Sequence, residues 1–328
     1  MNDGDGLRRS TPARPATLHS IGSLDMIIAG RGGLGQSHTE RREVLGICAA
    51  LFAWIMSWRA SAEAMPIGGA PGFRWAAYYG QTAEEKDFEL FNMVVLDSAF
   101  LGSITAMSKT GSRVCGYVSV GEIRSTDRFF AYLPATALLS ENADWPGTFR
   151  VDVRNPAWKA LLLQRIIPDI VERGFTGLLL DTLDTPPYLE QTEPERFRGM
   201  AQAAIDIVLA IRQAFPQLWL GVNRGYAILL AVARHVDFVV AESLLTRPDR
   251  NTDIGYRWND EQEVGWQLRF LTALRQDRPS IPVLSLDYWD PADMTTIQDI
   301  YRRERLLGNY PYVGTPLLDR IVPEPGAR

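Results

Sequence analysis

Residues 174–184 read Gly174-Phe175-Thr176-Gly177-Leu178-Leu179-Leu180-Asp181-Thr182-Leu183-Asp184. The run 177–181 is apolar at consecutive positions, too short for a helix, and closed by a carboxylate. Consecutive rather than alternating apolar residues fit a strand buried on both faces, as in a parallel sheet. Upstream, Asn155-Pro156-Ala157-Trp158 reads as an N-cap, a proline at the first helical position and a helix entry, with Gly174 as the stop. Downstream, Phe197, Met200, Ala201, Ala204, Val208, Ile211 and Phe215 recur at three- and four-residue steps and predict one amphipathic helix. The unit is helix, buried strand, helix.

The same unit repeats in both directions. Apolar runs at 73–79, 93–97, 114–120, 177–181, 218–223, 238–242, 282–287 and 312–315 predict eight strands, the third running on into Gly121-Glu122. Asp290-Pro291-Ala292 predicts the start of the last helix, and Gly308 its stop. Eight strands alternating with helices predict an α/β fold, a (β/α)8 TIM barrel forming a single domain over 65–328. An open doubly wound sheet is the alternative, disfavoured by the strand count.

Composition narrows the chemistry. The chain has 328 residues, 34 Lys+Arg against 39 Asp+Glu, and a formal net charge of −5. Only Lys86, Lys109 and Lys159 are lysines, so nucleic acid is not an expected partner. The histidines are His19, His38 and His235, and the cysteines Cys48 and Cys115. That supply cannot build a zinc site of several His or Cys ligands, and neither a metal nor a cofactor is expected. Before the barrel, Arg41-Arg42, the uncharged run Val44–Trp58 and Ala62-Glu63-Ala64 stand in the order of an export signal. The run is shorter than the ~20 residues a spanning helix needs. Residues 1–64 are therefore expected to be a cleaved twin-arginine-like leader, with the remainder exported to the periplasm or beyond and not inserted in a membrane. Gly30-Arg31-Gly32-Gly33-Leu34-Gly35 fits a dinucleotide loop by spelling, but no strand and helix flank it.

In a parallel barrel the active site lies at the carboxyl ends of the strands. Those ends carry Asp97, Glu122, Asp181, Asn223, Glu242 and Asp287, beside the aromatic residues Tyr78, Tyr79, Tyr117, Tyr288, Trp289 and Tyr312. Several carboxylates on one rim with aromatic walls suggest sugar chemistry, because glycosidases flank the scissile bond with two carboxyl groups. Structural readings compete at each position. Asp97 suits a helix cap, Glu122 and Glu242 suit ion pairs with an arginine such as Arg224, Asp152 suits a pair with Arg150 or Arg154, and Asp287 suits the loop leading to Asp290.

The segments Gly116-Tyr117-Val118-Ser119-Val120-Gly121-Glu122, Trp145 with Val151-Asp152-Val153-Arg154-Asn155-Pro156-Ala157-Trp158, and Gly174 to Asp184 together resemble glycoside hydrolase family 114, the endo-α-1,4-polygalactosaminidases and related barrels. The resemblance covers about 73–318. It implies secretion and hydrolysis of a polysaccharide containing galactosamine, with an aspartate after the fourth strand and a glutamate after the sixth as the catalytic pair. By position these are Asp181 and Glu242, the latter in Val239-Val240-Ala241-Glu242-Ser243. Glu122 and Asp152 match further acids of the family. Substrate contacts are expected from Tyr79, Asp97, Tyr117, Glu122, Asp152, Asn223, Asp287, Tyr288 and Trp289. Two alternatives come from other classes. One is a barrel that binds polysaccharide without turnover. The other is an esterase or deacetylase, disfavoured by the scarcity of histidine and the absence of a Gly-x-Ser-x-Gly elbow.

Overall fold

The computed structural model describes residues 72–326 apart from 110, 250, 251, 253 and 254. The expected leader, residues 1–64 with the glycine-rich stretch at 30–35, lies outside the described residues. Among those residues no helix is long and apolar enough to cross a membrane.

Eight strands form the barrel: β1 Trp75–Tyr78, β2 Met93–Leu96, β3 Arg113–Ser119, β4 Gly177–Asp181, β5 Trp219–Asn223, β6 Phe238–Glu242, β7 Val283–Tyr288 and β8 Tyr310–Gly314. Each pairs in parallel with the next in chain order. The order is that of the (β/α)8 barrel predicted from the repeated strand–helix unit. Between β8 and β1 the wall is closed by side chains. Trp75 Nε1 donates to the Tyr310 carbonyl at 2.8 Å, and the rings of Phe73 and Tyr310 meet edge-on at 5.3 Å. Just above, Tyr79 N donates to Leu318 O at 2.6 Å. The strands are buried almost throughout, which is why they read as unbroken apolar runs. Neighbouring strands also approach closely at glycine. A Cβ on Gly221 would lie 2.1 Å from the Phe238 ring of β6.

Several local expectations shift. The eighth strand begins at Tyr310, so Pro311 sits inside it opposite Ser285. A proline is tolerated there because β8 borders the seam, where one backbone donor fewer costs little. The helix expected from Phe197 is divided. Pro194–Phe197 forms one short turn, Gly199 takes a left-handed φ of 86°, and a second helix runs Met200–Ala214. Glu190 joins the pieces by accepting from Gly199 N and Ala201 N, both at 2.8 Å. The last helix runs Met294–Leu306 and is capped by Asp293, whose Oδ1 accepts from Thr296 N at 3.1 Å. Asp290 closes only the preceding turn. Asn155 caps as expected, accepting from Ala157 N at 3.0 Å. Gly174 and Gly308 stop their helices with φ of 98° and 75°.

Two excursions rise above the carboxyl rim. β3 ends at Ser119, and Glu122 opens a separate antiparallel sheet of Glu122–Arg124, Leu138–Glu141 and Thr148–Val151, with the last in the middle. After β6 the segments Thr246–Pro248 and Tyr256–Trp258 pair as a hairpin.

Candidate active site

Five neighbouring strands each deliver one side chain to a single hydrogen-bonded chain. Tyr117 of β3 donates its hydroxyl to Asp181 Oδ2 of β4 at 2.7 Å. Asn223 of β5 donates from Nδ2 to Asp181 Oδ1 at 2.9 Å and to Glu242 Oε2 of β6 at 2.6 Å. Tyr288 of β7 donates its hydroxyl to Glu242 Oε1. Tyr79, just past β1, leans edge-on against Tyr117 with ring centroids 5.1 Å apart. Because one amide nitrogen reaches both acids, Asp181 Oδ1 and Glu242 Oε2 are separated by at most about 5.5 Å, short of the ~6.5–9.5 Å spacing of inverting glycosidases.

The backbone turns sharply after three of these residues. Thr182, Arg224 and Ser243 directly follow Asp181, Asn223 and Glu242, and adopt φ of 58°, 50° and 52°. A left-handed non-glycine residue costs on the order of 1–2 kcal/mol. The cost is offset by the bonds each turn makes. Thr182 Oγ1 accepts from Gly121 N at 2.7 Å and Val120 N at 3.1 Å. Arg224 N donates to Val240 O, and Ser243 N to Leu286 O. The Ser243 carbonyl then accepts from Asn259 Nδ2 and Gln267 Nε2. Gly121 is required where it packs on Thr182, since a Cβ there would lie 2.4 Å from the Thr182 carbonyl.

Electrostatics act strongly on Glu242. Burial pushes the Glu242 carboxyl up, and the Asp181 charge pushes it further, against the hydrogen bonds from Tyr288 and Asn223 and the nearby Arg224 charge. Burial, then the neighbouring carboxylates, also raises the phenols of Tyr79, Tyr117 and Tyr288, which keeps them as hydrogen-bond donors at any ordinary pH. Arg224 itself stands 3.6 Å from Asp184 and near the rings of Tyr226 and Trp266.

The remaining sequence candidates divide. Asp97 Oδ1 accepts from Ala99 N at 2.7 Å and closes a turn rather than capping a helix, since the next helix starts at Ile104 behind Ser103; its charge still reaches Tyr79. Glu122 is buried, and its partners are Asn142 Nδ2 at 3.1 Å and Thr185 Oγ1 at 2.9 Å rather than an arginine. It ties the antiparallel sheet to the helix after β4. Asp152 is not brought to the carboxylate pair. It holds Arg154 through two bonds of 2.9 and 2.8 Å, and Arg154 in turn holds the carbonyls of Arg196 and Arg198. Asp287 is corrected most clearly. Strand side chains alternate, so with Tyr288 facing the cleft Asp287 faces outward, fully buried, where it accepts from Leu245 N and Thr246 N. Trp289 is almost covered, donating to Asp293 Oδ2 at 3.1 Å and packing on Tyr256 and Trp258. Tyr78 and Tyr312 belong to the core. Sequence reasoning missed Asn142, Thr185 and Thr182, which act through partners distant in the chain, and Arg124, whose charge reaches Tyr79 and Tyr117.

Comparison with known proteins places the fold. The glycoside hydrolase domain of PelA from Pseudomonas aeruginosa superposes with a TM-score of 0.68 at 26% identity, covering 76% of this chain and 98% of that domain. Ega3 of Aspergillus fumigatus, solved in complex with galactosamine, shares the fold with a TM-score of 0.57 at 15% identity, over 78% of this chain and 96% of that one. An uncharacterized protein of Deinococcus radiodurans is 27% identical over 187 residues, spanning 56% of this chain and 57% of that protein's length. An uncharacterized protein of Thermotoga maritima is 25% identical over 252 residues, or 68% of this chain and 74% of that protein. Residues 58–326 match the family described as glycoside-hydrolase family GH114, and the chain belongs to that family.

Proposed function

We propose that the chain is an exported endo-acting hydrolase of α-1,4-linked polysaccharide containing galactosamine or N-acetylgalactosamine. The observation that carries the reading is the Asp181–Glu242 pair, bridged by one amide that keeps the bonded oxygens within about 5.5 Å, with burial and the Asp181 charge pushing the Glu242 carboxyl up. An Asp181 oxygen attacks the anomeric carbon while the bond from that carbon to the leaving oxygen breaks and Glu242 gives that oxygen its proton. Glu242, now a carboxylate, takes a proton from water, and the hydroxide so formed displaces Asp181 from the anomeric carbon. Two inversions give net retention. Asp97 adds negative charge beside Tyr79, which would attract a cationic amino sugar, while Asp184 is offset by Arg224. Family membership supports this substrate class, and the galactosamine named with Ega3 is in keeping with it. Export rests on the leader pattern of residues 1–64, and N-terminal sequencing of the protein recovered outside the cytoplasm is its test.

The experiment for the activity incubates residues 65–328 with partly deacetylated α-1,4-galactosamine polymer and follows oligomers by mass spectrometry. Oligomers from the wild type, and none from Asp181→Asn or Glu242→Gln, are expected. Polymer that binds but stays intact would replace the hydrolase with a binding barrel. Release of acetate alone would point to an esterase.

A further inference from the structure

Among the described residues Asn223 is the side chain that hydrogen-bonds to both acids. It is only 8% exposed, and its Oδ1 has no hydrogen-bond partner, so the amide is oriented by the two carboxylates and by nothing on its other side. The backbone then turns at once into left-handed Arg224, which fixes where β5 ends and where the amide stands. A side chain at this place has to donate twice without carrying charge. Lysine or arginine would hold both acids ionised, and a carboxylate would add a third negative charge. Asparagine supplies two N–H bonds in one plane at a strand end.

We propose that Asn223 is a positioning residue whose amide follows the negative charge from Asp181 to Glu242 during the reaction. The inference rests on the glycosidase reading above. Before attack Asp181 is charged and Glu242 carries a proton. Once the glycosyl–Asp181 bond has formed and the proton has gone to the leaving oxygen, Asp181 is a neutral ester and Glu242 is charged. The pair holds one negative charge throughout, and the amide faces one anion and one neutral acceptor in both states. Its charge-assisted bond passes from one side to the other with no atom displaced, which is preorganisation for both half-reactions. Asn223 therefore does not need to contact the sugar.

Other groups shape the same titration and stay in place when Asn223 is changed. Asp181, Tyr288 and Arg224 act on Glu242, and Glu242 in turn is felt by Tyr79 and Tyr226. Tyr117 and Asp184 stand beside Asp181.

The test is a carboxyl titration by 13C NMR in the absence of substrate, on wild type and Asn223→Ala, with Asp181→Asn and Glu242→Gln assigning the signals. Loss of a donor shared by two carboxylates should raise both midpoints, each by about one pH unit. With polymer, both limbs of the pH–rate profile should move up together and kcat should fall about tenfold, while KM holds. Unmoved midpoints, or a lower rate with limbs in place, would overturn the proposal and leave Asn223 a packing residue. A rise in KM with unmoved limbs would return it to substrate binding. Should Asn223→Ala not fold, Asn223→Leu, close in size and without a donor, is read the same way. Wild type without turnover would refute the glycosidase reading, and the substrate-free titration would still decide the role of Asn223.

Discussion

Replacing Asp287 by asparagine should make the protein more stable at neutral pH. In the wild type this carboxyl is fully buried, with Oδ1 accepting from Leu245 N at 2.9 Å and Thr246 N at 2.7 Å. Its other oxygen and Glu304 Oε1 have no donor, and the pair is satisfied when a proton is held between them. Burial pushes Asp287 up to about 6 despite the bonds from Leu245 and Thr246, and burial together with Asp287 pushes Glu304 up as well. An unfolded aspartate titrates near ~3.9. Between those values the unfolded chain releases a proton that the folded chain keeps. The stability present below about pH 4 is thus lost as pH rises through 6, and two pH units correspond to about 3 kcal/mol. Asparagine keeps the acceptor for Leu245 and Thr246 and places an NH2 group where it can donate to Glu304. Urea unfolding at pH 4, 5, 6 and 7, followed by tryptophan fluorescence, should give nearly equal stabilities at pH 4. The gap in favour of the variant should widen to about 3 kcal/mol at pH 7. A gap that does not change with pH, or a variant less stable at pH 7, would refute the reasoning. Hydrolysis should be unaffected, and its loss would put Asp287 back in the cleft.

Asp181→Asn and Glu242→Gln should each lower turnover by about 10^3-fold or more while polymer binding, measured by calorimetry, persists. Tyr288→Phe removes a donor from buried Glu242. Because the acid must be protonated to act, the basic limb of the pH–rate profile should move upward, with a lower maximum. Ser243→Gly should stabilise the fold by about 1 kcal/mol by relieving a left-handed residue, whereas Thr182→Gly should destabilise it, since Oγ1 holds Gly121 N and Val120 N; thermal melts distinguish the two. Gly121→Ala should cost about 2 kcal/mol or more and lower activity, because its Cβ would press on the carbonyl next to Asp181.

The barrel was legible because its strands are buried on both faces. Residues 177–181 and 238–242 could be bounded to the residue, each an apolar run stopped by the acid that the fold needs at the rim. The antiparallel sheet was not legible. Glu122-Ile123-Arg124 is three residues long and offers no period to read, and its partner strand pairs with it from 148 onward. Position along a strand was readable while direction was not. Asp287 and Tyr288 are adjacent, and only the pleat decides which of them faces Glu242. Asn142 was invisible for another reason, because its role exists only through Glu122, twenty residues earlier. Helix starts drifted where a second capping residue, Asp293, stood three places beyond Asp290.

A hydrogen-bonded chain that takes one side chain from each of β3 to β7 has a consequence for how the molecule matures. Slipping any of these strands by one residue would turn its contributor away from the cleft and bring its neighbour in, as Asp287 for Tyr288. The chain of donors and acceptors would break at that link. Under the proposed hydrolysis a nascent or half-assembled barrel would be inert, and cutting of polymer would appear only when five strands have found their places. The site would then act as a folding checkpoint, with the onset of turnover during refolding reporting correct strand register rather than mere compaction.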